Sequence, residues 1–236
     1  RGRIVRIVEP GAGRVEAPCP YYDRCGGCAL QHLSYPGQIQ AKGAIVRETL
    51  GRIGRVPLGA VPMHGSPRDL EYRNRASFTL RRLRGGKVVA GFRELLAPAR
   101  VMDLDGPCLL LEPPLSRIWV DLRNAWGSGA RALPEGRELR LTLRRSGDSA
   151  VLLIQGGGGG EGDAGRLLRE VPDLDAVWWE PRGEDRRLLA ASGDPHGSET
   201  PDDPSESLAF VQVNREAGAL LTERLLGRQV EAIEHF

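Results

Sequence analysis

Apolar side chains recur along the chain with two periods, and the change from one to the other marks out the elements. Leu115, Ile118, Trp119, Leu122 and Trp126 return every three or four positions behind Pro113 and Pro114, which predicts a helix within 112–134 and places both tryptophans in a core. Leu30, Leu33, Ile39, Ile45, Val46 and Leu50 predict another within 29–50, started by Pro36 and stopped by Gly51. Two-residue alternation from Tyr72 to Leu80, a Gly85-Gly86 turn and an apolar return over 87–92 predict a hairpin. Residues 138–145 and 149–155 predict a second hairpin, residues 1–8 and 176–180 single strands, and Leu167, Leu168 and Val171 a short helix. Near the end, Phe210 to Asn214 reads as a strand that hands over, with Asn214 as N-cap, to a helix carrying Ala217, Leu220, Leu221, Arg224 and Leu225 and ending at Gly227. Hairpins interspersed with helices give an α+β fold with a mixed or antiparallel central sheet.

Charge adds a polarity that the apolar pattern does not show. Residues 68–100 hold nine basic side chains against three acidic ones, whereas 161–206 hold thirteen acidic against five basic. A polyanion is steered toward the first stretch and away from the second. Arg73, Arg75, Arg82 and Arg93 are the candidate phosphate contacts, because a guanidinium fork binds phosphate oxygens in pairs. Aromatic residues make up only 5% of the chain, so base stacking would fall to a few particular rings. The glycine run 156–160 lacks the Lys and Ser/Thr of a phosphate loop and reads as a plain loop, and the polar stretch 181–207 reads as a variable loop or two short strands. No apolar run reaches membrane-spanning length, and the expected compartment is the cytoplasm.

The cysteines supply the candidate chemistry. Cys19, Cys25 and Cys28 fall within ten positions, and the fourth, Cys108, follows Pro107 far along the chain. Four thiolates can enclose one metal centre, and three clustered ligands with a distant fourth beside a proline suit a [4Fe-4S] cluster better than zinc. Zinc, disulfides and unliganded thiols remain as alternatives. His32 is expected to be a polar neighbour of this site rather than a ligand.

The Cys19-x5-Cys25-x2-Cys28 spacing with distant Cys108, the run Tyr72, Arg73, Asn74 and Arg75, the pair Gly91 and Phe92, and Phe210-x-Gln212-Val213-Asn214 together resemble the RNA uracil-5-methyltransferase family with a [4Fe-4S] cluster. The resemblance implies the end of a TRAM-type RNA-binding β-barrel over 1–15, a cluster-bearing RNA-binding central domain over 16–207, and the start or remnant of an α/β S-adenosylmethionine-dependent domain over 208–236. It implies that Phe210 approaches a flipped uridine and that Gln212 contacts the methyl donor. RNA, ribosomal RNA in particular, is the implied partner. In that family a cysteine adds to uracil C6, C5 takes the methyl group, and a base removes the remaining C5 proton.

The chain departs from the family after Leu226, where the glycine-rich donor turn, the later catalytic segment and the cysteine nucleophile are missing. It also opens inside an expected strand without a methionine, so a truncated or partial protein is expected. With all four cysteines assigned to the metal site, the chain taken literally is expected not to methylate RNA. The alternatives are a cluster-stabilised RNA-binding remnant, an iron-sulfur electron-transfer protein, and a zinc-bound RNA module.

Overall fold

The computed structural model describes residues 4–192 and 212–234, with side chains up to 227. Its centre is one open six-stranded sheet in the order β2-β1-β3-β4-β5-β6. The strands are β1 (Arg75–Arg82), β2 (Val88–Gly91), β3 (Glu138–Ser146), β4 (Ser149–Gln155), β5 (Ala176–Glu180) and β6 (Arg187–Ala191). Every neighbouring pair is antiparallel except β4 and β5, which are parallel. A parallel pair needs a crossover, and helix α3 (Ala164–Glu170) lies within it.

Alternation in β1 and β3 sorts the two faces of the sheet. Ala76, Phe78 and Leu80 stand opposite Leu143, Leu141 and Leu139, forming a fully apolar inner row. Helix α2 (Pro113–Ala125) covers this row with Leu115, Ile118, Trp119 and Leu122, all buried. Both sequence-predicted core tryptophans of this segment are indeed interior, and the Trp119 ring stacks on Phe78 with centroids 3.8 Å apart. Gly91 is required where β2 passes the 102–104 segment, because a Cβ there would collide with the Met102 carbonyl. Met102 and Leu104 bond back to Phe92 and Ala90, which delivers the chain to Cys108.

Two helices flank this unit. Helix α1 (Tyr35–Arg52) starts at a proline in its first turn, as the pattern predicts, and buries only Gly43. Its Ile45, Val46 and Leu50 are 56%, 37% and 41% exposed, so its apolar positions face outward rather than into the sheet's core. Helix α4 (Arg215–Glu234) is capped by Asn214, whose Oδ1 accepts from the Ala217 N–H at 2.9 Å. It runs through Gly227 instead of stopping there, since an interior glycine weakens a helix by only about 1 kcal/mol. Asn214 also donates to Ser66 Oγ at 2.9 Å, and the Asn74 N–H donates to the Val213 carbonyl, so the start of α4 is tied to the entry of β1.

Two sequence expectations are corrected. Residues 4–8 form no strand, and Val5 and Val8 are 96% and 83% exposed; the nearest pairing is an isolated bridge between Arg14 and Leu33. A strand persists only with a partner for its N–H and C=O groups, and none is present among the described residues. The expected end of a closed β-barrel is therefore absent among the described residues, and the fold is α+β around an uncurled sheet. Of the strand expected over 210–214, the described residues 212–214 show a bridge between Arg73 and Asn214; Phe210 and Val211 lie outside the described residues. No described helix is long and apolar enough to cross a membrane.

Candidate functional site: a thiol pocket and a basic sheet face

The four cysteines do meet. Cys19, Cys25, Cys28 and Cys108 line one pocket with Tyr21, Phe92 and Leu104. The loop carrying Cys25 is pinned by its N–H to the Tyr21 carbonyl at 2.7 Å and by the Gly26 N–H to the Arg93 carbonyl at 2.9 Å. A Cβ on Gly26 would stand 2.8 Å from that carbonyl oxygen, so the close approach requires glycine. Ser116 of α2 clamps the other side, accepting from the Cys108 N–H at 3.1 Å. His32 lies beside the pocket and bonds the Tyr22 hydroxyl through Nδ1, the polar neighbour that was expected.

The metal expectation does not survive this geometry. Among the described residues no group of three or more His, Cys, Asp or Glu side chains is placed to hold a metal ion. The pocket that the four cysteines share is small, about 20 Å3. All four cysteines are free. Burial pushes up the thiols of Cys25, Cys28 and Cys108, Cys28 to about 11. Among the described residues the [4Fe-4S] cluster and the zinc alternative are both corrected to a cluster of free, partly buried thiols, which leaves the electron-transfer reading without support.

The raised thiol has a measurable consequence. Cys28 moves from 9.0 to about 11 through burial first, then through the neighbouring cysteines. Its folded state therefore keeps a proton that the unfolded chain loses, and this contribution is fully present below about pH 9 and lost as pH rises through about 11. The urea midpoint is expected to fall across that window and to fall less steeply in Cys28→Ala; equal slopes would contradict the assignment.

The four candidate arginines do not share one surface. Arg82 turns inward, and its guanidinium donates to the carbonyls of Gly129, Ala130, Leu133 and Gly136. Arg93 pairs with Glu138 at 2.9 Å, and Glu138 also holds Arg81 at 2.6 Å. Burial acts to raise the Glu138 carboxyl, but bonds and charge from Arg81 and Arg93 outweigh it and leave the group below its usual range. Arg73 belongs to the wall of a hollow beside Cys28, not to the sheet face. Arg75 stands on the outward face of the sheet, opposite Arg144.

That face holds residues the sequence reading passed over. Arg140 and Arg144 alternate with Leu139, Leu141 and Leu143 in β3, and Ser77 and Thr142 share a 2.8 Å hydroxyl bond between them. Arg140 is exposed and, with Ser77, Thr79, Arg93 and Gln155, lines a hollow of about 470 Å3. The signal was available in the two-residue spacing of Arg140, Thr142 and Arg144. It was missed because β3 lies outside the densest basic stretch of the chain.

Gln212, the candidate donor contact, is exposed at the wall of a hollow of about 480 Å3 between α1 and α4. Its side chain rests against Gly218, and Lys42, His64 and Arg224 line the same space. The hollow is of small-molecule size, and the Gln212 amide suits a polar edge of S-adenosylmethionine. One amide fits the donor without defining a site for it.

Comparison with known proteins finds similarity to RNA methyltransferases. The chain is 30% identical over 246 residues to an "uncharacterized RNA methyltransferase" of Synechocystis, an alignment covering 94% of this chain and 52% of that protein. It is 39% identical over 166 residues to another from Halalkalibacterium halodurans, covering 66% and 35%. It is 29% identical over 242 residues to the 23S rRNA (uracil(1939)-C(5))-methyltransferase RlmD of Acidithiobacillus ferrooxidans, covering 96% and 52%. The crystal structure of Pyrococcus abyssi tRNA (uracil-54, C5)-methyltransferase in complex with S-adenosyl-L-homocysteine shares the fold, with a TM-score of 0.57 at 23% identity over 93% of this chain and 52% of that one. No protein-family model matches. The chain spans about half the length of these relatives, or less.

Proposed function

We propose that this chain is the RNA-recognition part of an S-adenosylmethionine-dependent RNA uracil-C5-methyltransferase, with ribosomal RNA as the substrate. The observation that carries the reading is the outward face of β1 and β3, where Arg75, Arg140 and Arg144 flank a Ser77–Thr142 hydroxyl pair. Cationic forks set among hydroxyls, at the spacing of a sheet, bind phosphates along a strand. Residues 16–207 make up the recognition unit, and 208–236 lead into the donor-binding domain, with Gln212 on the donor and Phe210 toward the uridine. Similarity to RNA methyltransferases supports this assignment.

The residues of this chain bind and orient RNA. A uridine must leave its stack before C5 can react, and phosphates held on a rigid sheet keep the strand in register while it does. When bound, S-adenosylmethionine supplies an electrophilic methyl group. A nucleophilic thiolate must first attack uracil C6, yet burial pushes up Cys25, Cys28 and Cys108. The four cysteines line one pocket, Cys25 and Cys108 buried and Cys19 and Cys28 half-buried, and on this reading the 236-residue chain by itself is expected not to turn over.

Binding to single-stranded ribosomal RNA fragments tests the reading. Arg75→Gln and Arg140→Gln are each expected to weaken binding several-fold and to lower the slope of log affinity against log salt by about one. Arg82→Lys is expected to leave that slope unchanged. Affinity indifferent to salt, or unchanged in both glutamine variants, would overturn the proposal.

A further inference from the structure

Helices α1 and α4 flank the hollow of about 480 Å3 that Gln212 borders. Along α1, Tyr35, Ile39 and Lys42 reach it at four- and three-residue spacing, and along α4 Ala217, Leu221 and Arg224 do the same. On each helix a cation stands one turn beyond an apolar side chain. The segment carrying His64 is fixed between the two helices, because Tyr35 Oη donates to the Ser66 carbonyl at 3.2 Å and Asn214 donates to Ser66 Oγ at 2.9 Å. It also lies close on α1, where a Cβ at Gly43 would come within 3.1 Å of Met63.

Lys42, His64 and Arg224 are all exposed, so each can touch a ligand directly. Arg224 Nη1 lies 3.1 Å from His64 Nε2, and with that nitrogen as acceptor the imidazole steadies the guanidinium while its other N–H groups stay open. Neither Lys42 nor Arg224 has a carboxylate partner among the described residues, whereas Arg68 on the same wall is held by Glu216 at 2.6 and 3.2 Å. Asp69 is the one acidic side chain on the wall among the described residues. Two unpaired cations around one hollow repel each other, and an anion set between them relieves that repulsion. A phosphate suits the pair, since Arg offers a planar fork and Lys a point charge.

The position of the hollow in the fold favours RNA as the source of that phosphate. The start of α4 bonds to the entry of β1, where the Asn74 N–H donates to the Val213 carbonyl at 3.1 Å, and to the end of β3, where Arg215 Nη2 donates to the Arg145 carbonyl at 2.6 Å. Arg75 and Arg144 pair across that same end of the sheet. A strand leaving the sheet there comes next to the hollow.

We propose that the α1–α4 hollow binds one backbone phosphate of the RNA through Lys42 and Arg224, with His64 as the positioning residue for the guanidinium. It rests on the RNA-binding reading above and extends the phosphate path beyond β1 and β3.

The test uses the 236-residue protein and the single-stranded ribosomal RNA fragments. Lys42 and Lys87 are its two lysines, so an amine-acylating reagent reports the hollow against one comparison site in the β1–β2 turn. RNA is expected to slow acylation of Lys42, and Arg224→Gln to remove most of that protection. Lys42→Gln and Arg224→Gln are each expected to weaken binding about threefold and to lower the slope of log affinity against log salt by about one. Arg47→Gln removes an exposed α1 cation outside the hollow and is expected to bind within about twofold of wild type. Lys42 equally reactive with and without RNA, or an Arg47→Gln loss as large as the other two, would overturn the site and leave the RNA reading standing. Inorganic phosphate protecting Lys42 where RNA does not would overturn it in favour of a free-phosphate site. Failure of the wild-type protein to bind RNA would overturn both.

Discussion

Arg82→Met is expected to destabilise the protein by about 3 kcal/mol or more without altering the RNA affinity of the molecules that remain folded. The guanidinium of Arg82 donates to four carbonyls, at 2.9 Å to Gly129, 2.8 Å to Ala130, 3.2 Å to Leu133 and 2.6 Å to Gly136. These oxygens belong to a loop with unusual backbone: Gly129 and Ala130 sit at φ values of +67° and +55°, and Ala130 is fully buried. Removing the cation leaves several carbonyls unpaired at once, each worth about 1–3 kcal/mol when shut away from water. Burial also lowers the Arg82 pKa, the cost of holding a cation there, though the group remains charged at neutral pH. Arg82→Lys should recover only part of the stability, because an ammonium cannot span four acceptors laid out for a planar fork. Urea unfolding alongside RNA titration checks both halves. An RNA affinity that drops while the urea midpoint holds would return Arg82 to the phosphate-binding set.

Trp119→Ala is expected to cost about 3–5 kcal/mol, the range for emptying a large aromatic site in a closed core. Trp119 is fully buried, stacks on Phe78 at 3.8 Å and meets Trp126 edge-on at 6.0 Å. Its indole N–H donates to the Leu104 carbonyl at 3.0 Å. That bond matters beyond the core, because Leu104 pairs with Ala90 of β2 and the segment that follows carries Cys108 to the thiol pocket. Guanidinium unfolding should show the stability loss, and thiol labelling under native conditions should become faster at Cys108. Trp119→Phe keeps most of the stacking but orphans the Leu104 carbonyl, and should fall between the two. A Trp119→Ala protein with wild-type stability and labelling would mean that α2 does not hold this end of the sheet.

The elements were legible because burial writes a period into the chain. Phe78 and Leu80 in β1, and Leu115, Ile118, Trp119 and Leu122 in α2, follow the two- and three-to-four-residue spacings that their buried faces demand. Asn214 was legible as a cap for a similarly local reason, since its side chain reaches an N–H only three residues on. The 1–8 segment misled because alternation describes a strand's faces and says nothing about whether a partner strand exists. Gly227 misled because a lone glycine weakens a helix without ending it.

The site divides along the same line. That Cys19, Cys25, Cys28 and Cys108 belong together, and that the chain resembles uracil methyltransferases, could be read from residue types and spacing alone. Whether four sulfurs can hold a metal depends on how the fold places them, and among the described residues no such group is formed. Arg73, Arg75, Arg82 and Arg93 looked equivalent as charges in one stretch of sequence. The fold sent Arg82 to a cage of carbonyls, Arg93 to Glu138 and Arg73 to the hollow beside Gln31, and kept Arg75 with Arg140 and Arg144 on the sheet's outward face. Sequence determined the period, the cap and the inventory of charges, because these act over a few residues. Tertiary structure alone decided which charges meet solvent and which meet a carbonyl, because that depends on what the rest of the chain brings within about 3 Å.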